Sequence, residues 1–427
     1  MNVLSSGELT KYIVSEFEKF FNSKPETISS APGRIDFLNT HQDYKGLPVV
    51  SIGINLRTYV AISRISGKKS KIISINLLRE GRNYTDSFNV DNIVLKSGKW
   101  FGNYIRSSVK ALKEIHRDID GFNALIYSDV PVAAGLASSA ALLVSFIGAM
   151  NEVYGFNLSK KDIAELAFHA EHDIMGIPCG RLDQYGSSFG GVLKIETRPP
   201  YNVEELPILD GVFVVLDSGI RHSTADIHPR RQAEIDEGLR ALLQMNDLEE
   251  SIMEKLSDKY YAVKWDEIKY EELLPYLMRL PDTPRRRIEF TFKMHESTIL
   301  ALNIIRGNTP DPGKIVTILG SEWRDEIEKA LNSDNPSLAL IGVIMNCQHV
   351  LLRDLYDVSL PELERIRNAA LTAGALGVKL SGAGLGGSLT ALAKDLKDAE
   401  NILRKGLENG AKRGWIVKVD TGLRREL

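Results

Sequence analysis

Residues 131–142 read PVAAGLASSAAL, a run of small side chains that leads directly into an apolar helical pattern. Glycine and alanine let another molecule approach the backbone closely, and two adjacent serines add hydroxyls. The start of a helix exposes backbone N–H groups and the positive end of its dipole, which together favour an anion such as phosphate. The same composition also suits a plain packing corner, so the loop has to be read with the rest of the chain. No G-x-x-x-x-G-K-[ST] occurs, which excludes the common P-loop with its phosphate-holding lysine.

The chain has 427 residues, enough for two domains with buried cores. Hydrophobic residues make up 43% and charged residues 26%, ordinary for a globular protein. A net charge of −3 gives no reason to expect a nucleic-acid or membrane partner. Cys179 and Cys347 lie far apart in no ligand-like spacing, which excludes a disulfide scaffold and a cysteine-rich zinc site and fits the cytoplasm. Acids among the apolar residues of MNVLSSGELTKYIVSEFEKFF argue against a secretory signal, and Ile13, Phe17 and Phe20 are spaced for an amphipathic helix.

Working outward from the loop, LPVVSIGIN, TYVAISRI, KIISINL and GFNALIYSDVP read as strands. NYIRSSVKALKEIHRD and SAALLVSFIGAMNEVYG have helical periodicity, and SKKDIAELAFHAEHDIMG opens with Ser159 and Asp162 in a capping-box pattern. The double proline of GVLKIETRPPYNVEELPI marks a boundary near residues 196–208, giving an N-terminal domain 1–200 and a C-terminal domain 205–427. Residues 221–350 are dominated by charged helical patterns, then PELERIRNAALTAGA gives one more helix before the strand–loop–strand candidate GVKLSGAGLGGSLTALA.

Three further stretches carry chemistry. Glu171 falls late on a helix and Asp183 just after a Gly/Pro-containing turn; one carboxylate could hold a metal while the other faces an attacking hydroxyl. In APGRIDFLNTHQDYKGLPVV, Arg34 is expected in a turn after Pro32-Gly33, and His41, Asp43 and Tyr44 suit hydrogen bonding to a polyhydroxyl ligand. His41, His172 and His222 match no local zinc spacing. Gly382, Gly384 and Gly387 formally satisfy G-x-G-x-x-G, but so late in the chain, before the strand-like SLTALA, they say only that backbone must approach something closely. Solvated acids, a polar hairpin and a packing turn are the plain alternatives for these stretches taken singly.

Taken in order, the motifs resemble the GHMP small-molecule kinases, with GLASSA at 135–140 and GAGLGG at 382–387 as the close matches. HVLLRDLYDVSLPELERI at 349–366 resembles the H-x-S-L-R-x-x-Y-x-V-S-x-P-E-L signature of the galactokinase branch; KWFGNYIRSSVKAL, CGRLDQYGS and GIRHSTADIHPRRQAE are similar to other stretches of it. The resemblance runs from about residue 30 to 395. It implies an α+β fold in two lobes with mixed sheets and the active site between them, and an ATP-dependent, Mg²⁺-requiring kinase that phosphorylates the anomeric hydroxyl of a hexose, galactose first.

Carried over residue by residue, Gly135, Leu136, Ala137, Ser138 and Ser139 match the phosphate loop, Ser138 and Glu171 the magnesium ligands, and Trp100 an adenine contact. Asp183 matches the acid at the accepting hydroxyl and Arg34 the cation beside the transferring phosphoryl group; with Arg34 beside it, orienting the hydroxyl is expected to be the larger part of Asp183's role. Thr40, His41, Asp43, Gly180, Asp183, His228, Gly382 and Gly384 match sugar-binding positions. Where the branch reads G-R-V-N-L-I-G-E-H-T-D-Y, this chain reads GRIDFLNTHQDY, with Asn39 for a glycine and Thr40 for a glutamate, and His228 stands where a sugar-contacting tyrosine is expected. These departures leave galacturonate, arabinose, fucose or a heptose open as substrates, with a non-sugar alcohol kinase and a non-catalytic sugar and ATP sensor as further alternatives. Oligomeric state is not legible.

Overall fold

The computed structural model describes residues 6–116, 118–221 and 224–427, with only the backbone of Ser6 and of residues 224–227. His222 lies outside the described residues. The chain divides into two compact units, the first comprising Met1–Ile35, Ile52–Gly191 and Val419–Leu427, the second Asp36–Ser51 and Val192–Lys418. This differs from contiguous domains 1–200 and 205–427. Composition marks where a linker could lie, but not that a segment is exchanged between folding units.

In the first unit, strands β1 (Thr27–Leu38), β2 (Val49–Arg64), β3 (Lys69–Ser74), β4 (Thr85–Asn89), β5 (Phe122–Ser128) and the short β12 (Arg424–Arg425) form a sheet in the order β12-β1-β2-β5-β3-β4. The sheet is mixed: β3 runs parallel to β5, while β2 and β4 lie antiparallel to their partners β5 and β3. LPVVSIGIN and TYVAISRI, read as separate strands, are one 16-residue strand that comes to the surface at Asn55 and Leu56 in its middle and at Arg64 at its end. KIISINL stops being a strand at Ser74, whose hydroxyl caps the helix Ile75–Arg79.

Helix Ser138–Tyr154 is apolar nearly all round and buries Leu143, Val144, Phe146 and Ile147 with Ile105 and Val109 of helix Gly102–Ile115. Each such side chain contributes roughly 1.5–3 kcal/mol of transfer free energy. The opening helix Ser6–Phe21 buries Ile13 and Phe17 against Ile28, Tyr59 and Leu125, as its spacing predicts. Helix Lys160–His169 carries the expected capping box of Ser159 and Asp162. Segment 419–427 is part of this unit because β12 pairs with β1 and because buried Arg57 needs it. The Arg57 guanidinium donates to Asp420 Oδ2 (2.9 Å), Thr421 O (2.7 Å) and Gly422 O (2.6 Å).

The second unit has an antiparallel hairpin of β6 (Val192–Ile195) and β7 (Val203–Leu206), with the double proline in its connection. Its sheet, antiparallel throughout, runs β11-β8-β10-β9 from β8 (Val212–Asp217), β9 (Gly377–Ser381), β10 (Ser388–Ala393) and β11 (Arg413–Val417). The intervening chain is helical, as read, from Thr224–Leu243 through Asp282–Ile305 and Pro336–Asp354 to Pro361–Thr372. Its own core gathers Ile235, Leu239, Trp265, Leu273, Ile288 and Phe292. Among the described residues no helix is long and apolar enough to cross a membrane.

Candidate functional site

The loop between β5 and helix Ser138–Tyr154 is held in an unusual backbone shape. Ala133, Gly135 and Ala137 all have positive φ (59°, 72° and 57°), alternating with residues of ordinary φ. Such alternation turns successive N–H groups toward one side and forms an anion-binding concavity. Ala137 is the helix N-cap and offers no side-chain acceptor to the helix's first N–H groups. β1 packs directly on this loop: Arg34 N–H donates to Leu136 O (3.1 Å), and a Cβ on Gly33 would fall 2.7 Å from the same oxygen. Pro32 and Gly33 therefore lie within a strand rather than in the expected turn; glycine is needed there for close approach.

Arg34 is the hub of the first unit's polar cluster. Its Nε and Nη2 donate to Asp183 Oδ1 (2.9 and 2.5 Å), and its Nη1 donates to Gly135 O (2.7 Å). One buried guanidinium thus ties the loop backbone to the carboxylate. Asp183 sits in the first turn of helix Leu182–Phe189, retaining 30% side-chain exposure, with Gly180 in the exposed loop just before it. Glu171 lies in a single π-helical turn, Ala170–Ile174, which interrupts the expected continuous helix and re-aims the carboxylate. Burial raises its pKa, Asp183 adding to the effect and hydrogen bonds from Ser139 and Gln184 opposing it.

The hydroxyl that meets Glu171 is therefore that of Ser139, one residue beyond the Ser138 singled out by the resemblance. Gln184, missed in the sequence, donates from Nε2 to Glu171 Oε2 (2.8 Å) and keeps a buried Oε1 without a protein partner. Its place one residue after Asp183 on a helix was the available signal. Trp100, in the same unit, packs against Phe101 (4.8 Å) and the Lys96 ammonium (4.3 Å).

The second unit holds the other group of expected residues. The chain leaves β1 through Asn39 and His41, both at positive φ (65° and 66°), with Thr40 between them. Asparagine tolerates that conformation better than most residues, so Asn39 can replace the glycine of the motif; its Nδ2 also donates to Pro48 O (2.5 Å). Burial, with His228 and Lys45 nearby, holds the His41 pKa well below its ordinary value, leaving a neutral ring. Ala383 O lies 3.0 Å from His41 Nε2 and can only accept, so Nε2 carries the proton. His41 Nδ1 then accepts from Tyr44 O–H (3.3 Å), which in turn accepts from Tyr356 O–H (2.5 Å).

His228 joins this group edge-on to His41, with ring centroids 5.2 Å apart, and its buried Nε2 has no protein partner. Asp43 opens the turn Asp43–Lys45 that carries Tyr44. Buried Lys45 lies over the Phe290 and Tyr356 rings (4.8 and 4.9 Å) and donates to Thr291 Oγ1 (3.0 Å), a contact no local spacing announced. Gly382 and Gly384 flank Ala383, and a Cβ on Gly384 would collide with the Val358 carbonyl. The 349–366 signature explains itself as a brace for β9. Buried His349 accepts from Leu380 N–H (3.3 Å) at Nδ1 and pairs Nε2 with Glu364 Oε1 (2.7 Å).

The main-chain anion cradle, the guanidinium-clamped carboxylate and the glycine-rich strand connection are the parts of a small-molecule phosphotransferase. Family models for the GHMP kinases N terminal domain and the GHMP kinases C terminal match residues 103–191 and 327–412, and the model described as galactokinase galactose-binding signature matches 15–64. The galactokinase of Roseiflexus sp. (strain RS-1) is 30% identical over 397 residues, 91% of this chain and 88% of that one. That of Chloroflexus aggregans is 29% identical over 396 residues, 91% and 90% of the two chains. In fold, the Lactococcus lactis galactokinase complexed with galactose superposes with a TM-score of 0.75 at 23% identity, covering 97% of this chain and 99% of that one. The chain belongs to the GHMP kinases, and within them to the galactokinase family.

Proposed function

We propose that this chain transfers the γ-phosphoryl group of ATP to the anomeric hydroxyl of a hexose, galactose being the leading substrate. Membership of the galactokinase family makes it an ATP-dependent sugar kinase. The observation that carries the mechanistic reading is the Arg34 clamp, which fixes Asp183 and the Gly135 carbonyl to one cation. Phosphoryl transfer is mainly positioning and charge neutralisation. In this reading residues 135–139 cradle the ATP phosphates on main-chain N–H groups, Arg34 offsets charge developing on the transferred group, and Asp183 orients the sugar hydroxyl and takes its proton. Trp100 is the proposed adenine contact.

Glu171 and its serine neighbours supply only oxygen donors, the chemistry Mg²⁺ prefers, beside the orphan Oε1 of Gln184. Among the described residues no group of three or more His, Cys, Asp or Glu forms a cage. Such a sparse set suits a cation that arrives with nucleotide phosphates, and Glu171 with Ser138 or Ser139 would hold it. When bound, the ion neutralises phosphate charge. On the sugar side, His41, Asp43, Gly180, His228, Gly382 and Gly384 are the proposed contacts. The Cys179 thiol pKa is pushed up to about 12 by burial, with Glu171 and Asp183 adding to the rise, which keeps it protonated beside the site.

The test is ADP release with Mg-ATP against galactose, galacturonate, arabinose, fucose, glucose, a heptose and mevalonate, with Asp183→Ala alongside. Galactose as the best substrate and a dead variant support the reading. A different winning sugar moves the assignment to that sugar, and ATP binding without any turnover brings the sensor alternative forward.

A further inference from the structure

We infer that Asp36, Thr40 and Lys379 act as one positioning unit in which Asp36 supplies the carboxylate that the galactokinase motif carries four residues later. The inference rests on the sugar-kinase reading for its effect on substrate, and on geometry within the second unit for the unit itself. Lys379 lies in the middle of β9, opposite Thr390 of β10, and is fully buried. Its Nζ donates to Thr40 Oγ1 (2.7 Å) and to the Asp36 main-chain oxygen (3.3 Å). The Thr40 hydroxyl donates in turn to Asp36 Oδ1 (3.2 Å). Asp36 and Thr40 are 5% and 2% exposed, so both bonds are made away from bulk water.

A hydroxyl has one proton to give. Thr40 gives its proton to Asp36 and uses a lone pair on Lys379, so it has no donor left for a sugar. The residue at the point of departure from the motif is thus occupied internally. The Thr40 hydroxyl relays the buried Lys379 ammonium to the Asp36 carboxylate, and removing one member of such a buried charged set costs more than never having had it. The motif G-R-V-N-L-I-G-E has its carboxylate at the position of Thr40 and an amide at that of Asp36; GRIDFLNT has a carboxylate at 36 and none at 40. Two departures that look independent are one displacement of charge. Restoring glutamate at 40 alone therefore does not restore a galactokinase-type pocket: it sets two carboxylates against one ammonium.

The experiment is a cycle of wild type, Asp36→Asn, Thr40→Glu and the double variant, read by sugar KM, kcat and ATP KM with galactose and galacturonate, and by unfolding temperature. Each single variant is expected to raise sugar KM about tenfold or more, with ATP KM and kcat within about threefold. The double variant is expected to return sugar KM to within about threefold of wild type. With a carboxylate back at position 40, its kcat/KM ratio of galactose over galacturonate is expected to rise at least tenfold. Losses that simply add in the double variant, or a Thr40→Glu protein as active as the double, overturn the inference.

Thr40→Val and Thr40→Ser serve if a charged variant does not fold. Valine should raise sugar KM and serine should leave it near wild type; equal behaviour of the two overturns the role of the hydroxyl. If wild type turns over no sugar, the kinase reading fails separately. The cycle is then read from unfolding temperatures, where recovery in the double variant supports the coupled unit and additive loss removes it.

Discussion

The loop before helix Ser138–Tyr154 in the first unit and the turn after β1 in the second are both tight, small and rich in positive φ, yet they are built from different material. Residues 133–137 offer main chain, and their side chains are almost incidental; residues 36–45 offer side chains, with Asp36, Thr40, His41, Tyr44 and Lys45 held by hydrogen bonds or ring contacts. Main-chain recognition depends on shape and survives substitution as long as the backbone keeps its path. Side-chain recognition changes whenever a partner changes. That difference explains why GLASSA follows its family pattern closely, whereas GRIDFLNTHQDY departs from its own at several places.

The comparison breaks most readily at Asp183. Asp183→Ala should lower kcat by about 10³-fold or more while leaving ATP binding within a few-fold, measured by ADP release and nucleotide titration. Arg34→Lys tests whether fork geometry or charge matters in the first unit. A lysine cannot bond Asp183 and Gly135 O together, so about a 10²-fold loss in kcat is expected, and a near-normal rate would reduce Arg34 to a point charge. Glu171→Gln keeps the side chain's shape, and should raise the Mg²⁺ concentration needed for half-maximal rate by about 10- to 100-fold.

Smaller effects sharpen the contrast. Gly33→Ala pushes a methyl group onto Leu136 O and should cost about 1–3 kcal/mol in unfolding free energy, with a raised ATP KM and an unchanged sugar KM. The second unit responds instead to acid. Burial holds His349 and His295 down to about 4, and His41 well below its usual value. In each case the unfolded chain binds the proton more tightly than the folded one. Stability is therefore complete above pH 6.5 and falls as pH drops toward 4, by up to ~1.4 kcal/mol per pH unit for each histidine. Unfolding temperatures at pH 7.5 and 5 measure this, and His349→Gln should flatten part of the slope.

Much of the fold was legible because its signals are local. The capping box at Ser159, the helix after GLASSA and the strands around GAGLGG follow from periodicity and turn chemistry within a dozen residues. Arg34 and Asp183 were singled out because the family resemblance names both positions, although their contact spans 149 residues and no local pattern announces it. Gln184, Lys45 and Lys379 were not, because what matters for each is a partner brought in by tertiary structure: Glu171, Thr291 and Thr40. The same limit hid the exchange of Asp36–Ser51 and Val419–Leu427 between units, which no composition shift marks.

The pairing of β12 with β1 carries a consequence for how the chain is made. Arg57 is buried early in the sequence, yet its hydrogen-bond acceptors at Asp420, Thr421 and Gly422 leave the ribosome only after the whole second unit. Until then the guanidinium has only the Ser30 hydroxyl and main-chain oxygen of β1 as partners and lacks its carboxylate, which leaves a buried charge incompletely compensated. The first unit can collapse during synthesis but cannot close, so its final step waits on contacts of very long sequence separation. A ribosome stalled before residue 419 should expose a protease-sensitive first unit beside a folded second one.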